Sequence, residues 1–316
     1  MEHAPVMLSE TIDLLQCRPG GVFVDATIGL AGHASAILKN IRPDGLLIGL
    51  DRDSESLAIA RSRLKPDEKN LRLFHANFKN LPLILNNLGL KTLDGILADL
   101  GVSAYQLLAA DRGFSFQSDA LLDMRMDRSQ RLTASDLVNG LPEEELADLI
   151  LRFGEEPRAR RIASSIVRVR QKGPVTRCAQ LADVIARAAG GRASRRTHPA
   201  TRTFQALRIA VNQELEGLEE FMREALTFLR PGGRLAVIAF HSLEDRIVKR
   251  SFRMLAGHCV CGRRPPLCTC PRNPVGRLVR TRAVKPGAAE VAVNPRARSA
   301  RLRVLERTQV ITESEC

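Results

Sequence analysis

The run VFVDATIGLAGH, from Val22 to His33, decides the fold. A short apolar strand, Val22 to Thr27, leads through Gly29 and Gly32 into the helix-like AGHASAILKN. Glycines in such a turn let a backbone come close to a ligand, and the first turn of a helix offers unpaired N–H groups. A glycine pair also occurs in ordinary strand-to-helix turns, so its neighbours must settle its meaning. Outward from it, Leu46–Asp51, Leu71–His75, Leu93–Leu100 and Arg234–Phe240 read as further short apolar strands, each followed by turn or helix chemistry. SESLAIARSRL and LPLILNNLG supply intervening helices, and another runs from about Leu215 to Leu229 until PGG closes it. Repeated β-α units predict an α/β, Rossmann-like fold with a mostly parallel sheet. RLVRTRAV and RLRVLER are candidates for a terminal hairpin on the sheet edge.

More than a hundred residues between the fourth and fifth strands carry no strand pattern. LPEEELADLILRF, ARRIASSIVRVRQ and CAQLADVIARAAGG instead have helical spacing and stop signals. They predict an inserted helical domain over residues 105–211, with 1–104 and 212–316 forming the discontinuous sheet domain. At 316 residues, with 44% hydrophobic and 26% charged, the chain has enough material for two cores.

The net charge of +13 is unevenly placed. Residues 1–156 hold 16 Lys/Arg against 23 Asp/Glu, whereas 157–202 hold 12 against Asp183 alone, and 246–307 hold 16 against Glu290 and Glu306. Two basic blocks of this size suit neutralisation of nucleic-acid phosphates; a solvated helix face is the plainer reading. No run approaches a bilayer-spanning length, and MEHAPVMLSET lacks the pattern of an export signal. The seven cysteines, with Cys17, Cys178 and Cys316 scattered, argue against a secreted disulfide framework. A cytoplasmic protein with no membrane association is expected.

In parallel sheets ligands bind beyond the carboxyl ends of the strands. Asp51 closes the second strand, where a carboxylate accepts hydrogen bonds from both hydroxyls of a ribose. Dinucleotide sites prefer G-x-G-x-x-G and phosphate loops need G-x-x-x-x-G-K-[ST]; neither occurs, so NAD and ATP are secondary to S-adenosylmethionine. After the third strand, Asn77 and Phe78 are placed to meet an adenine, although core packing explains Phe78 equally well. Asp99 ends the fourth strand at the sheet centre, as a functional carboxylate or as a loop cap. Gln106 follows, facing ligand or solvent.

Together these segments resemble the bacterial ribosomal RNA small-subunit methyltransferase H family. The resemblance runs nearly end to end through HAPVMLSE (3–10), VDATIGLAGH, GLDRD (49–53), the pair Asn77-Phe78, DLGVS (99–103), RGFSF (112–116), LDMRMD (122–127), FGEE (153–156), HPATRTFQALRIAVNQEL (198–215) and FHSLEDRIVK (240–249). It implies a class I methyltransferase fold, S-adenosylmethionine as cofactor, and methylation of N4 of a cytidine in the decoding centre of 16S rRNA, within the small ribosomal subunit. It also implies cofactor contacts from Ala31, Gly32, His33, Asp51, Phe78, Asp99 and Gln106. Two departures stand out: Ala31 replaces a glycine of the family's G-x-G-G-H, and Ala104-Tyr105 interrupts its D-L-G-V-S-S-x-Q.

A cytidine amine is a weak nucleophile and needs a proton acceptor. Asp99 is the first candidate and His241, in FHSLEDR, the second. The alternative for His241 is a structural role. Arg195, Arg196 and Arg202, around HPATR, are candidates for RNA contact, against helix capping. Cys259, Cys261, Cys268 and Cys270 have the number of a zinc site but not the commoner C-x-x-C spacing, so a metal and ordinary loop thiols are both open and the sequence assigns no metal. A non-catalytic RNA-binding assembly factor would keep the basic blocks without cofactor binding, and a methyltransferase acting on another nucleic acid is the closer rival.

Overall fold

β1 (Val22–Asp25) buries Phe23 and Val24 completely, on opposite faces, as neighbours along a strand must. Phe23 joins one apolar cluster with Leu47, Leu97, Ala236 and Ile238, and Val24 joins another with Ile48, Ile96, Leu235 and Val237. The sheet is thus covered on both sides, which explains strands that read as unbroken apolar runs. The structure, a computed structural model, describes residues 5–109, 111–117, 119–190, 198–261, 268 and 273–308.

α1 (Leu8–Leu15) precedes β1, and α2 (Gly32–Ile41), β2 (Leu46–Asp51), α3 (Ser54–Arg63), β3 (Leu71–His75), α4 (Leu81–Asn87) and β4 (Leu93–Asp99) follow it. The chain then forms α5 (Ala104–Leu108), α6 (Ala134–Gly140), α7 (Glu143–Gly154), α8 (Ala159–Arg170), α9 (Cys178–Ala188) and α10 (Thr201–Asn212). α11 (Leu218–Phe228), β5 (Leu229–Ala239), α12 (Ser242–Leu255), β6 (Gly276–Leu278), α13 (Ala288–Val293) and β7 (Arg301–Arg307) complete it. The strand order is β3-β2-β1-β4-β5-β7-β6, with the first five strands parallel and β7 antiparallel to both neighbours. This is the expected Rossmann-like sheet. The order reverses between β1 and β4, so a ligand crevice is expected at their carboxyl ends.

α2 shows how the sequence builds a layer. Ala34, Ile37, Leu38 and Ile41 recur at helical spacing on one face and are wholly buried. Each large aliphatic contributes about 1.5–3 kcal/mol. At the opposite end of the sheet from the crevice, Asp94 accepts hydrogen bonds from Arg18, Arg230 and the Val22 N–H. Burial alone would raise Asp94, but these donors hold it below the usual carboxylate range.

Two readings of the sequence need correction here. PGG does not end a helix ahead of a strand at Arg234: α11 stops at Phe228, and Pro231 to Gly233 lie inside β5, where the register with β4 jumps from Leu93–Leu229 to Gly95–Arg234. The Arg230–Asp94 pair anchors this bulge, and a side chain at Gly233 would press on the Arg230, Leu93 and Asp94 carbonyls. The terminal hairpin exists, but its first strand is only Gly276–Leu278, with Val284 adding a single bridge to Leu302.

The chain divides into two compact units, residues 1–101 with 216–316 and residues 102–215. The second unit has its own core, to which α8 gives Ala159, Ile162, Ala163 and Ile166 while leaving Arg160, Arg161 and Arg168 exposed. Three of the unusual motifs lock together inside it. The buried Arg112 of RGFSF donates to the carbonyls of Arg125 and Met126 in LDMRMD. Asn212, at the end of α10, accepts from the Met126 N–H and donates to the Met124 and Arg208 carbonyls. Arg208 and Glu214 form a paired, two-bond ion bridge at 2.8 Å.

Candidate functional site

Five carboxylates converge in the first unit around the carboxyl ends of β1, β2 and β4. Asp51 accepts the Gly29 N–H on Oδ2 at 2.7 Å and the Asp53 N–H on Oδ1 at 2.8 Å. The turn after β1 is thereby tied to the end of β2. Each carboxylate oxygen keeps a further lone pair, so acceptor capacity remains for a ligand. Burial raises Asp51 to about 6, opposed by the two N–H donors and reinforced by the charge of Asp53. Asp53 itself caps α3 through the N–H groups of Glu55 and Ser56.

Asp99 stands at the centre. Its Oδ1 is buried without a hydrogen-bond partner, and its Oδ2 lies 3.6 Å from His33 Nδ1. A quarter of the side chain (25%) stays open, so the carboxylate forms part of a surface rather than a sealed core. Burial raises it well above the ordinary carboxylate value, and the charges of Asp25 and Glu244 add to the shift. Burial likewise pushes Asp25 up to about 7, with the Thr27 N–H opposing and Asp51 adding. Burial lowers His33 to about 4, so its ring is neutral. Its Nε2 sits 3.0 Å from the Val6 carbonyl and must carry the proton, which turns the lone pair of Nδ1 toward Asp99. Carboxylates that raise one another in this way attract a cation.

The turn itself is uncapped. Ala31, ahead of α2, has φ 67° and ψ 25° and no side-chain cap, so the first N–H groups of α2 lack an intrahelical partner. A Cβ on Gly32 would meet Pro5 at 3.0 Å, which gives that glycine a packing reason of its own. The left-handed conformation costs an alanine about 1–2 kcal/mol. Burial of its methyl returns about 0.8 kcal/mol, and glycine would bring a backbone entropy penalty of roughly 0.5–1 kcal/mol. These nearly cancel, which explains how an alanine is tolerated at this left-handed position. Ala31→Gly is expected to stay within about 1 kcal/mol of the parent in calorimetric unfolding; a larger change in either direction would show that the methyl has another role.

The remaining candidates occupy different surroundings. Phe78 is half-buried, with its ring 4.9 Å from that of Phe221 and tilted at 55°, while Asn77 caps the short turn after β3 through the Lys79 N–H. Gln106 belongs to the second unit. There its Oε1 accepts the Ser103 N–H and its own N–H donates to Ser103 Oγ, a capping box at the start of α5. His241 caps α12: Nδ1 accepts the Glu244 N–H at 3.4 Å, and the Glu244 carboxylate accepts the Phe240 and His241 N–H groups. Nε2 lies 3.1 Å from Glu244 Oε1 without the alignment of a hydrogen bond. The histidine ring is therefore committed to a helix start.

Sequence reasoning passed over Thr27, whose Oγ accepts the Asp99 N–H at 2.6 Å, and grouped the almost wholly buried Glu244 with His241 without giving it a role of its own. The H-S-L-E spacing was the available signal for Glu244, since it matches a capping box with His in place of Ser or Thr.

Many arginines of the basic blocks are spent within the fold. Arg202 donates to the Glu155 carbonyl beyond the end of α7, the capping alternative. Arg303 pairs with Asp245, Arg277 pairs with Glu306 beside Arg234 from outside the blocks, and Arg307 binds the Leu226 carbonyl. Lys249, Arg250 and Arg253 remain exposed along α12. Arg195, Arg196 and Cys270 lie outside the described residues. Among the described residues no helix is long and apolar enough to cross a membrane.

The chain is similar along nearly its whole length to proteins named ribosomal RNA small subunit methyltransferase H. That of Geobacter sulfurreducens is 53% identical, covering 96% of this chain and 98% of its own. That of Syntrophobacter fumaroxidans is 51% identical over 98% of both. That of Citrifermentans bemidjiense is 51% identical over 96% and 98%. With the model of the MraW methylase family matching residues 1–308 as well, the chain belongs to the MraW methylase family.

Proposed function

We propose that the protein is an S-adenosylmethionine-dependent methyltransferase that modifies N4 of a cytidine in 16S rRNA, within the small ribosomal subunit and in the cytoplasm. The observation that carries this reading is Asp99, a carboxylate with one buried, unpartnered oxygen at the sheet centre, held above its usual pKa among other acids. The residues present fit the cofactor. Asp51 retains acceptor lone pairs for ribose hydroxyls, the Asp25–Asp99–Glu244 cluster suits a cation, and the uncapped start of α2 at Ala31, Gly32 and His33 suits a carboxylate. Phe78 offers a ring face. When bound, S-adenosylmethionine supplies an electrophilic methyl group on a cationic sulfur.

In the reaction the chain's own groups orient two reactants and receive one proton. Orientation is worth at best about 7–11 kcal/mol. Asp99 is the acceptor: its raised pKa makes it a stronger base once ionised, and a cation nearby favours ionisation. His33 is neutral with its proton on Nε2, so its Nδ1 faces Asp99 as an acceptor and can take a hydrogen bond from that carboxyl once it is protonated. His241 holds the loop at the end of β5 through its cap on α12. The exposed cations of α8 and α12 give the phosphate attraction that a ribosomal substrate requires, and the second unit is the substrate-recognition domain.

The test is labelled methyl transfer from S-adenosylmethionine to unmodified 30S subunits, with the product nucleotide mapped. A product at a ring carbon, or on another RNA, would overturn the N4 assignment. A pH dependence follows from Asp51. Below its pKa of about 6 the carboxyl is protonated and a poorer ribose acceptor, so the cofactor Kd should rise as pH falls, by roughly fivefold between pH 6 and pH 5. In Asp51→Asn, titrated by calorimetry, that rise should vanish and binding should be weak throughout. An unchanged slope would assign the titration to another group.

A further inference from the structure

We propose that Cys259, Cys261 and Cys268, in the segment between α12 and β6, are ligands of a structural zinc ion. Their Sγ atoms form a triangle with sides of 3.5, 3.7 and 3.4 Å. A disulfide would bring two of them to about 2.05 Å. Three thiolates on tetrahedral zinc, at Zn–S of about 2.3 Å, would stand about 3.8 Å apart. The observed triangle is close to that edge length.

Packing does not explain the convergence. Cysteine is normally among the most buried residues, yet Cys259 and Cys261 are exposed and Cys268 is only half-buried. None of the three belongs to an apolar cluster of the first unit. Exposed thiols brought into mutual contact from both sides of a six-residue stretch (262–267) are better explained by a shared ligand. All-sulfur donors select zinc among the common divalent ions. Binding exchanges the thiol protons for the metal with no change of oxidation state, so no oxidant is required. This inference does not depend on the identity of the methylated base.

Elemental analysis of the full chain, purified without chelators from zinc-supplemented cells, should find about one zinc per chain. Cys268→Ser should lose at least about tenfold of it and Cys17→Ser none. In the parent, alkylation of Cys259, Cys261 and Cys268 should be slow until a chelator is added. Zinc well below stoichiometric, zinc retained by Cys268→Ser, or thiols that alkylate equally fast with and without chelator would each overturn the proposal. Should Cys268→Ser fail to fold, Co²⁺ exchange into the parent decides: thiolate-to-cobalt charge-transfer and tetrahedral d–d bands are expected, and octahedral, thiolate-free spectra would refute the site. A Cys259–Cys261 or Cys261–Cys268 disulfide found by mass spectrometry after anaerobic purification would also refute it.

Discussion

Asp99→Ala should reduce methyl transfer to 30S subunits by roughly 10³-fold, since a positioned proton acceptor typically contributes 10²–10⁴. The cofactor Kd should change by no more than about tenfold, because Asp51 and the turn after β1 are left intact. The stability change should run the other way. Asp99 leaves Oδ1 buried without a partner and stands among the charges of Asp25 and Glu244. A buried unsatisfied polar atom costs about 1–3 kcal/mol. Asp99→Asn, which keeps the volume and removes the charge, should therefore unfold at a temperature no lower than the parent while remaining nearly inactive. Full activity in either variant would remove Asp99 from the reaction, and a large loss of stability would make it a structural cap instead.

Asn212→Ala should destabilise the second unit by about 3–5 kcal/mol. One amide satisfies the Met126 N–H and the Met124 and Arg208 carbonyls in a site that is 1% exposed. Alanine leaves the first two of these backbone groups with no replacement from its own side chain, each at a cost of about 1–3 kcal/mol. The same loop leans on Arg112, and Met124 within it has φ 62°, a conformation that a methionine holds only when its surroundings dictate it. Urea unfolding followed by far-ultraviolet circular dichroism is the suitable measurement, as the chain has no tryptophan and only one tyrosine. A loss under about 1 kcal/mol would mean that water replaces the amide and the lock is not structural.

The strand ends were legible because apolar runs terminating in Asp25, Asp51 and Asp99 carry both the period of a buried strand and the chemistry of its outlet. Features fixed by distant partners were not. PGG has the local signature of a break, and only Asp94, 136 residues from Arg230, turns it into a bulge within β5. α1 begins after Met7 in a left-handed conformation with no capping side chain, so nothing in the sequence marks its start. Phe78 could be read as an adenine platform or as core, and its contact with Phe221 on α11 lies far along the chain. His241 looked like an acid–base group because histidine is an uncommon helix cap. The charge blocks overstated the free cations, since an arginine paired with Glu306 or Asp245 looks in sequence like one awaiting phosphate.

The place of β5 and β7 in the sheet also bears on how the protein is made. The β4–β5 contact waits for a segment well over a hundred residues later, and the β5–β7 pairing waits for residues later still. On a ribosome, β1 to β4 emerge first, with β4 as an edge whose backbone groups have no strand to meet. Closing so long a loop in an unfolded chain costs roughly 4 kcal/mol of entropy. A second unit with its own core can collapse in the interval and shorten the effective loop. Translation order thus favours folding the insertion before the sheet that surrounds it in sequence, and pauses after residue 215 would help assembly while early release would leave an aggregation-prone half-sheet.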